Sequence, residues 1–251
     1  MKLISLSFWT LTIAVLSFSC NDCKNCKKEN NKTVDSTATL LKEAPIRDNV
    51  LTAEEQQALT PDIILAGLKD GNEKFINNDL TARDHSSMVR KAAGGQYPKA
   101  VVLSCLDSRV PVEDVFNEGI GDLFVGRVAG NIVNDELLGS MEFGCKVAGA
   151  KLIVVMGHNS CGAVKAAIAN VQLGNITSLV TRIKPAVTLS DDFVGEKKGD
   201  AYTDHVATNN VLQTIATIRK QSTILKEMED KGAIKIVGAM YDLNSGKVTF
   251  L

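Results

Sequence analysis

The sequence has no excess of charge of either sign, since 28 lysines and arginines stand against 29 aspartates and glutamates in 251 residues. Nucleic acids and anionic membrane surfaces attract strongly basic proteins, so this balance argues against both partners. Histidine is also scarce, with only three in the chain, and no internal repeat is found. What is present is a hydrophobic content of 45%, which is enough for one globular core. One main domain with a tail is therefore the expected organisation.

The N-terminus has the composition of an export signal. A lysine precedes an apolar run over residues 3–19, which is short and polar for a membrane span, and Cys20 follows. Ser17 and Ser19 before Cys20 resemble a loose bacterial lipobox, in which the cysteine becomes the lipidated first residue. We predict an export signal over residues 1–19 and a periplasmic location, with membrane contact only through a lipid on Cys20. A simple cleaved signal and an uncleaved anchor are the alternatives.

Three cysteines, Cys20, Cys23 and Cys26, lie in a polar tract rich in lysine and asparagine. Their spacing is compatible with a metal or cluster site, but such sites need a folded cage and usually a fourth ligand. A lipid-bearing cysteine with two linker thiols is the simpler interpretation. Residues 20–50 are therefore predicted to form a flexible tether, and residues 51–251 the folded domain.

Four short apolar segments of the domain predict β-strands that alternate with helical patterns. Strands that are apolar on both faces are typical of a parallel sheet covered by helices on both sides. N-cap threonines predict two helices over residues 52–77, and an Asn-Ser-Gly turn at residues 244–246 predicts a hairpin. The predicted fold is α/β, with a mainly parallel β-sheet of about four to five strands flanked by helices, an N-terminal helical arm and a C-terminal hairpin. The predicted strands are 99–104, 122–128, 151–157 and 234–241, and the longest predicted helix is 204–230.

Two of these strands end in residue types that bind metals. Cys105 directly follows the predicted strand 99–104. His158 directly follows the predicted strand 151–157, and Cys161 comes three residues later. Ligands gather beyond the carboxyl ends of parallel strands, so two thiolates and an imidazole are expected to form a zinc site with one open position. Each residue alone would more often be a buried cysteine or a structural histidine. A disulfide between Cys105 and Cys161 is the main alternative in an oxidising compartment, and Cys145 is assigned to the core.

Asp107 and Arg109 follow Cys105 at alternate positions. As a surface ion pair they would contribute about 0 to 1 kcal/mol and would indicate no function. Two thiolates and a neutral imidazole cancel the charge of zinc, so a water molecule bound there needs help to become a nucleophile. A carboxylate held in an outer position by the planar fork of an arginine can accept a hydrogen bond from that water. We therefore predict a catalytic role for the pair.

The motifs SCLDSRVPVEDVF, GDLFVGRVAGNIV and GHNSCG, in this order, resemble those of the β-class carbonic anhydrases. The resemblance covers about residues 51–251. It implies one Zn²⁺ per chain, bound by Cys105, His158 and Cys161. It also implies the interconversion of carbon dioxide and bicarbonate, with zinc-bound hydroxide as the nucleophile and the aspartate–arginine pair orienting it.

Further residues have roles that only the resemblance implies. Asp107 would be a fourth zinc ligand in a closed form that some members adopt. Gln96, Phe124, Phe143 and Gly162 match substrate-binding positions, where the glutamine would donate a hydrogen bond and the phenylalanines would line an apolar pocket. A loop amide and ordinary core phenylalanines are the alternatives.

Two departures from the family's motifs concern the surroundings of the metal. Val128 stands where asparagine is usual, and Phe143 where tyrosine is frequent, which changes the polarity of the pocket but not the metal chemistry. Some members use a tryptophan in an off-site bicarbonate pocket, but Trp9 is the only tryptophan and lies in the predicted signal. That pocket is not expected in its usual form. Members form dimers whose N-terminal helices wrap the partner, so a homodimer or higher homo-oligomer is expected.

Two other functions remain open from the sequence. A hydrolase of carbon disulfide or carbonyl sulfide on the same fold would use the same nucleophile on a related linear substrate, and access to the pocket would distinguish it. A non-catalytic zinc-binding lipoprotein would need a closed ligand set and a loop rich in histidine or acidic residues. The three histidines of the chain argue against that second alternative.

Overall fold

The computed structural model describes residues 46–251 of the chain. The predicted export signal, the predicted lipidation site Cys20 and the two other cysteines of the predicted tether lie outside this range. None of the helices between residue 46 and the C-terminus combines the length and the apolarity that a membrane crossing requires.

Within residues 46–251 the strands form one five-stranded sheet. The strands are Ala100–Ser104 (β1), Leu123–Arg127 (β2), Leu152–His158 (β3), Lys235–Tyr241 (β4) and Val248–Phe250 (β5). Their order across the sheet is β2-β1-β3-β4-β5. The first four run parallel, and β5 runs antiparallel to β4. The predicted mainly parallel α/β sheet and its C-terminal hairpin are confirmed.

Helices connect the strands and precede the first of them. They are Ala53–Ala58 (α1), Pro61–Ile76 (α2), His85–Ala92 (α3), Val112–Val115 (α4), Asp135–Glu142 (α5), Gly162–Ile168 (α6), Ile176–Leu189 (α7), Gly199–Gln221 (α8) and Thr223–Asp230 (α9). The hydroxyls of Thr52 and Thr60 cap α1 and α2 as predicted, accepting hydrogen bonds from Glu55 N and Ile63 N. A 3₁₀ turn, Ala129–Asn131, follows β2, and a π-helical turn, Phe143–Val147, follows α5.

Two helices differ from the predictions. The long helix predicted over residues 204–230 is broken at Ser222, whose hydroxyl accepts a hydrogen bond from Leu225 N at 3.1 Å. A serine that captures a free N–H group in this way starts a new helix, and α9 therefore begins at Thr223. The sequence analysis also missed α3, which is only 8 residues long and is capped by Asp84.

The sheet is buried on both faces. Every residue of β1 and of β3 is buried, and side chains alternate between the two faces along each strand. Val101 and Leu103 pack into one hydrophobic cluster with residues of α8 and α9, whereas Ala100 and Val102 pack into another with residues of α2 and α4. Helices on both faces explain why these strands are apolar up to their last residues, Ser104 and His158.

The N-terminal part of the described range packs on its own domain. Ile64 and Leu68 of α2 are 2% and 0% exposed and belong to the cluster on one face of the sheet. Before α1, the guanidinium of Arg47 pairs with the buried carboxylate of Asp122 at 2.9 Å. Contacts with the folded domain therefore extend to Arg47, N-terminal of Leu51, and the tether predicted over residues 20–50 stays a prediction for the residues outside the described range.

Candidate metal centre

The three predicted metal ligands meet at the carboxyl edge of the sheet. Cys105 follows β1 directly, His158 is the last residue of β3, and these two strands are parallel neighbours. Cys161 is the N-cap residue of α6. The three side chains are 4%, 1% and 1% exposed, and their ligand atoms all lie within 4.8 Å of one another.

The two sulfurs are not joined in a disulfide. Sγ of Cys105 and Sγ of Cys161 are 3.9 Å apart, whereas a disulfide bond is about 2.05 Å long. Both cysteines are free, as is Cys145, and all three are buried. Cys145 lies in the core as predicted, where burial raises the pKa of its thiol to about 12. The disulfide alternative is therefore wrong in this fold.

The imidazole of His158 is prepared to bind a cation. Its Nδ1 lies 2.8 Å from the carbonyl oxygen of Asn159, which can only accept, so Nδ1 carries the proton and Nε2 carries the free lone pair. That Nε2 is buried and finds no hydrogen-bond partner among residues 46–251. A buried polar atom without a partner is costly, and a metal ion beside the two sulfurs would supply one. The donor set and its orientation thus fit zinc.

The charges of the site also favour a cation. Interaction with the Cys161 thiol, and a hydrogen bond from the Gly130 N–H, lower the pKa of the Cys105 thiol against the effect of burial. The same contact with Cys105, followed by burial, raises the pKa of Cys161, because a second negative charge at 3.9 Å is unfavourable. Burial alone would lower the pKa of His158, but the negative charge of the neighbouring Cys105 raises it overall. A divalent cation would neutralise the negative charge of two thiolates that lie this close together.

Gly130 is part of the metal centre, although the sequence analysis did not single it out. Its N–H points at Sγ of Cys105, 3.3 Å away, and its carbonyl accepts a hydrogen bond from Asn210 Nδ2 at 2.7 Å. It has a φ of +73°, and a Cβ atom there would lie 2.6 Å from Cδ1 of Ile183. Only glycine meets both conditions. The glycine of the Ala-Gly-Asn segment after β2 was the only sequence feature that could have indicated this role.

Asp107 and Arg109 form a bidentate pair at the edge of the metal centre. Nε of Arg109 donates to Oδ1 of Asp107 at 2.9 Å, and its Nη2 donates to Oδ2 at 2.7 Å. Oδ2 of Asp107 also lies 3.8 Å from Nε2 of His158. The arginine side chain is 58% exposed but that of the aspartate only 15%. Hydrogen bonding to Arg109 holds the pKa of Asp107 well below its usual value. The cluster of converging ligands comprises the two cysteines and the histidine but not Asp107.

Arg127 holds the main chain of this loop and was also missed from the sequence. It is the last residue of β2 and lies in register with Ser104 at the end of β1. Its Nε donates to the carbonyl oxygen of Cys105 at 3.0 Å, and its Nη2 donates to that of Asp107. Two carbonyls are thereby fixed by one guanidinium. Only the pairing of β1 with β2 reveals this role.

Three of the four predicted substrate-binding residues do not reach the metal centre of their own chain. Phe124 pairs in register with Val101, four residues before Cys105, which is about 13 Å along a strand. Its ring lies 6.4 Å from that of Phe143, and Gln96 is an exposed residue that precedes β1. All three therefore lie towards the amino end of β1 and do not line the metal pocket of their own chain, and their role in substrate binding stays a prediction.

Gly162 lies beside the metal ligands, whereas a groove that contains Phe124 and Phe143 lies elsewhere. Gly162 follows Cys161 directly as the first residue of α6 and is exposed. The groove that contains Phe124 and Phe143 has a volume of about 620 Å³ and runs along β2 and α5. It does not include the metal ligands. Substrate access to the metal centre is therefore separate from this groove in a single chain.

Two thiolates and an imidazole at the carboxyl edge of a parallel α/β sheet define a metalloenzyme of the Cys₂His zinc class. Comparisons with known proteins specify the class further. The family described as "Carbonic anhydrase" matches residues 100–248. Carbonic anhydrase 2 of Mycobacterium tuberculosis is 36% identical over 189 residues, which cover 72% of this chain and 87% of that protein.

Solved structures agree in fold. A Coccomyxa β-carbonic anhydrase in complex with acetazolamide superposes with a TM-score of 0.60 at 25% identity, covering 77% of this chain and 86% of its own. One of two tetrameric β-carbonic anhydrases from Sordaria macrospora superposes with a TM-score of 0.59 at 24% identity, covering 66% of this chain and 86% of its own. The chain belongs to the β-class carbonic anhydrase family. It is an enzyme that interconverts carbon dioxide and bicarbonate, and Cys105, His158 and Cys161 are its zinc site.

Proposed function

We propose that Asp107, held by Arg109, orients the nucleophile for attack on carbon dioxide. The observation that carries this proposal is the position of the carboxylate, with both oxygens bonded to Arg109 and with Oδ2 3.8 Å from Nε2 of His158. Zinc, when bound, supplies a Lewis acid that lowers the pKa of a water molecule to about 7. An ionised carboxylate only accepts hydrogen bonds, so Asp107 directs an O–H donor beside the ligands and leaves its lone pair free for substrate.

Arg109 keeps Asp107 in this outer position. Besides the two side-chain hydrogen bonds, the N–H of Arg109 donates to Oδ1 of Asp107 at 3.0 Å. Three donors from one residue hold the carboxylate in its ionised form and occupy the lone pairs that face away from the ligands. Binding of Asp107 to zinc as a fourth ligand would break this pair. In this structure Asp107 is held in the outer position, and its closure onto zinc would require the loss of the Asp107–Arg109 pair.

A comparison of substrates tests the activity against the sulfur-substrate alternative. Zinc-loaded protein is assayed for carbon dioxide hydration by stopped flow with a pH indicator, and for sulfide release from carbonyl sulfide and carbon disulfide. We expect rapid hydration of carbon dioxide and much slower release of sulfide. Faster turnover of either sulfur compound would contradict the assignment, and no turnover of any substrate would favour the non-catalytic zinc-binding lipoprotein.

We further propose that the enzyme is a homodimer or a higher homo-oligomer. Phe143 and Val147, beside the groove along β2, are 50% and 70% exposed, and exposed apolar patches of this kind mark association surfaces. Gln96, Phe124 and Phe143 cannot reach the metal centre of their own chain, so a role in substrate binding requires a second copy. The relatives from Sordaria macrospora are tetrameric. Light scattering should give at least twice the mass of one chain, and an active monomer would contradict the proposal.

The enzyme is proposed to be exported and tethered on the periplasmic side through a lipid on Cys20. The support is the short apolar run and the two serines that precede this cysteine. In cells fed a labelled fatty acid, the Cys20→Ala variant should lose the label and move from the membrane fraction to the soluble fraction. Cys23→Ala is the matched control and should retain both. Label on the Cys20→Ala protein, or none on the wild type, would contradict the proposal.

A further inference from the structure

The two residues between His158 and Cys161 are each bound by a carboxylate from another part of the fold. Asp204, on α8, accepts a hydrogen bond from the Ser160 N–H at 2.7 Å. Asp242, directly after β4, accepts one from Asn159 Nδ2 at 3.0 Å through its Oδ2. Neither carboxylate belongs to the cluster of converging ligand atoms.

The hydrogen bond to Asp204 stabilises an unfavourable backbone conformation. Ser160 has a φ of +51°, in the left-handed region that residues other than glycine rarely adopt. This conformation turns the chain from the end of β3 into α6, so that Cys161 faces back towards His158. A backbone N–H bonded to a carboxylate is a strong, charge-assisted contact, and it holds the turn at its least favourable residue.

The contact with Asp242 fixes the orientation of the imidazole through Asn159. Oδ1 of Asn159 accepts a hydrogen bond from Leu243 N at 2.8 Å, and its N–H donates to the carbonyl of Tyr241 at 3.2 Å. Asn159 is thus tied to the end of β4 at three points. Its own carbonyl accepts the Nδ1 proton of His158 at 2.8 Å. Anything that moves Asn159 therefore rotates the ring that presents Nε2 to the metal.

The carboxylate of Asp242 is itself held by the turn that follows it. Its Oδ1 accepts hydrogen bonds from Asn244 N at 3.0 Å and from Ser245 N at 2.7 Å in the turn between β4 and β5. Its Oδ2 is thereby directed at Asn159. The C-terminal hairpin, which lies far from His158 in sequence, thus supports the metal centre.

We propose that Asp204 and Asp242 are positioning residues of the zinc centre, which hold the His158–Cys161 turn in the geometry that binds metal. The inference rests on the zinc chemistry of the proposed function. Groups that orient metal ligands contribute about 10- to 100-fold to metal affinity. Loss of either contact should therefore accelerate the release of zinc while leaving the three ligands in place.

The first experiment measures zinc affinity and the rate of zinc release to a chromogenic chelator, using full-length protein. Asp204→Ala should bind zinc about 10- to 100-fold more weakly, whereas Asp204→Asn, which keeps an acceptor oxygen, should recover most of the affinity. Asp200→Ala is the matched control, because Asp200 lies on the same helix and contacts Ser160 only through its side chain, at 3.3 Å, besides its exposed pair with Lys165. The Asp200→Ala variant should bind and release zinc as the wild type does. Equal affinities of Asp204→Ala and wild type, or an equal loss in Asp200→Ala, would overturn the role of Asp204.

The second experiment exchanges the groups of the Asn159–Asp242 pair. Asn159→Asp alone places two carboxylates at a contact that is 3.0 Å long, and Asp242→Asn alone places two amides there. The two substitutions together restore one donor and one acceptor. Each single variant should release zinc faster, and the double variant should recover towards the wild-type rate. A double variant that releases zinc as fast as the worse single variant would overturn the role of Asp242.

Two further readouts separate positioning from general stability. The unfolding temperature of the metal-free variants should stay close to that of the metal-free wild type, and the visible spectrum of the cobalt-loaded variants should change. If a variant lost as much free energy of unfolding in the metal-free state as free energy of zinc binding, Asp204 and Asp242 would have a structural role and the inference would be overturned. A wild type that binds no zinc would contradict the proposed function itself, whereas zinc-binding wild type with unaffected variants contradicts only the positioning roles.

Discussion

Replacement of Cys161 with alanine is expected to abolish zinc retention and carbon dioxide hydration together. The change removes one of three ligands that are 4%, 1% and 1% exposed, and it leaves a cavity that a water molecule fills less well than a thiolate. Because even outer partners of metal ligands contribute 10- to 100-fold to affinity, we expect a loss of more than about 100-fold for the ligand itself. Elemental analysis after dialysis against a chelator measures the first effect, and stopped-flow hydration measures the second.

Cys145→Ala is the matched control for that experiment. Cys145 is 3% exposed, as buried as the ligands, but it lies in the π-helical turn after α5 and outside the metal cluster. The same chemical change there should lower the stability of the fold and leave the zinc content intact. Full zinc retention by the Cys161→Ala variant would show that the ligand assignment is wrong.

Replacement of Asp107 with asparagine is expected to lower kcat about 100-fold with zinc content unchanged. The amide has nearly the same shape, but its NH₂ group would face the donors of Arg109 and cannot accept their hydrogen bonds. The side chain would then rotate, and the acceptor beside the ligands would be lost. Stopped-flow hydration of samples matched for zinc content measures the effect.

Two comparisons make the result for Asp107 specific. Arg109→Lys keeps the positive charge but loses the bidentate contact, and it should give an intermediate kcat. Lys165→Arg, a change at an exposed lysine that pairs with Asp200, should leave kcat as in the wild type. A kcat for Asp107→Asn equal to that of the wild type would remove Asp107 from the mechanism.

The same variant has a stability signature that depends on pH. The pKa of Asp107 in the folded chain is lowered, chiefly by its hydrogen bonds to Arg109, from a reference value of 3.8. A group with a depressed folded pKa contributes stability above its unfolded pKa and loses that contribution as pH falls through the folded pKa. The stability difference between metal-free wild type and Asp107→Asn should therefore be constant at neutral pH and shrink below about pH 4.

The parts of the fold that are encoded locally could be predicted from the sequence. The strands that carry Cys105 and His158 are short apolar runs, and in parallel strands the residues after the carboxyl ends meet at one edge. Thr52, Thr60 and the hairpin turn are also local signals. The break at Ser222 was missed because the hydrophobic repeat continues through it, and only the side-chain cap ends the helix.

The supporting residues of the metal centre could not be predicted, because long-range packing brings them together. Arg127 acts through the pairing of β1 with β2, and Asp204 reaches Ser160 from a helix 44 residues later. The misplaced pocket residues have a related cause. Phe124 and Phe143 lie near β1, the strand that precedes Cys105. The sequence does not indicate that they lie at its amino end rather than at the carboxyl end, where the metal ligands meet.

X-ray absorption at the zinc edge of the purified wild-type enzyme is the most direct test of the central claim. Two sulfur atoms and one imidazole should surround the zinc, with one further oxygen or nitrogen ligand, and the sulfur contribution should fall to one atom in any zinc that Cys161→Ala retains. A spectrum with no sulfur around the metal, or with sulfur unchanged in that variant, would contradict the metal centre formed by Cys105, His158 and Cys161.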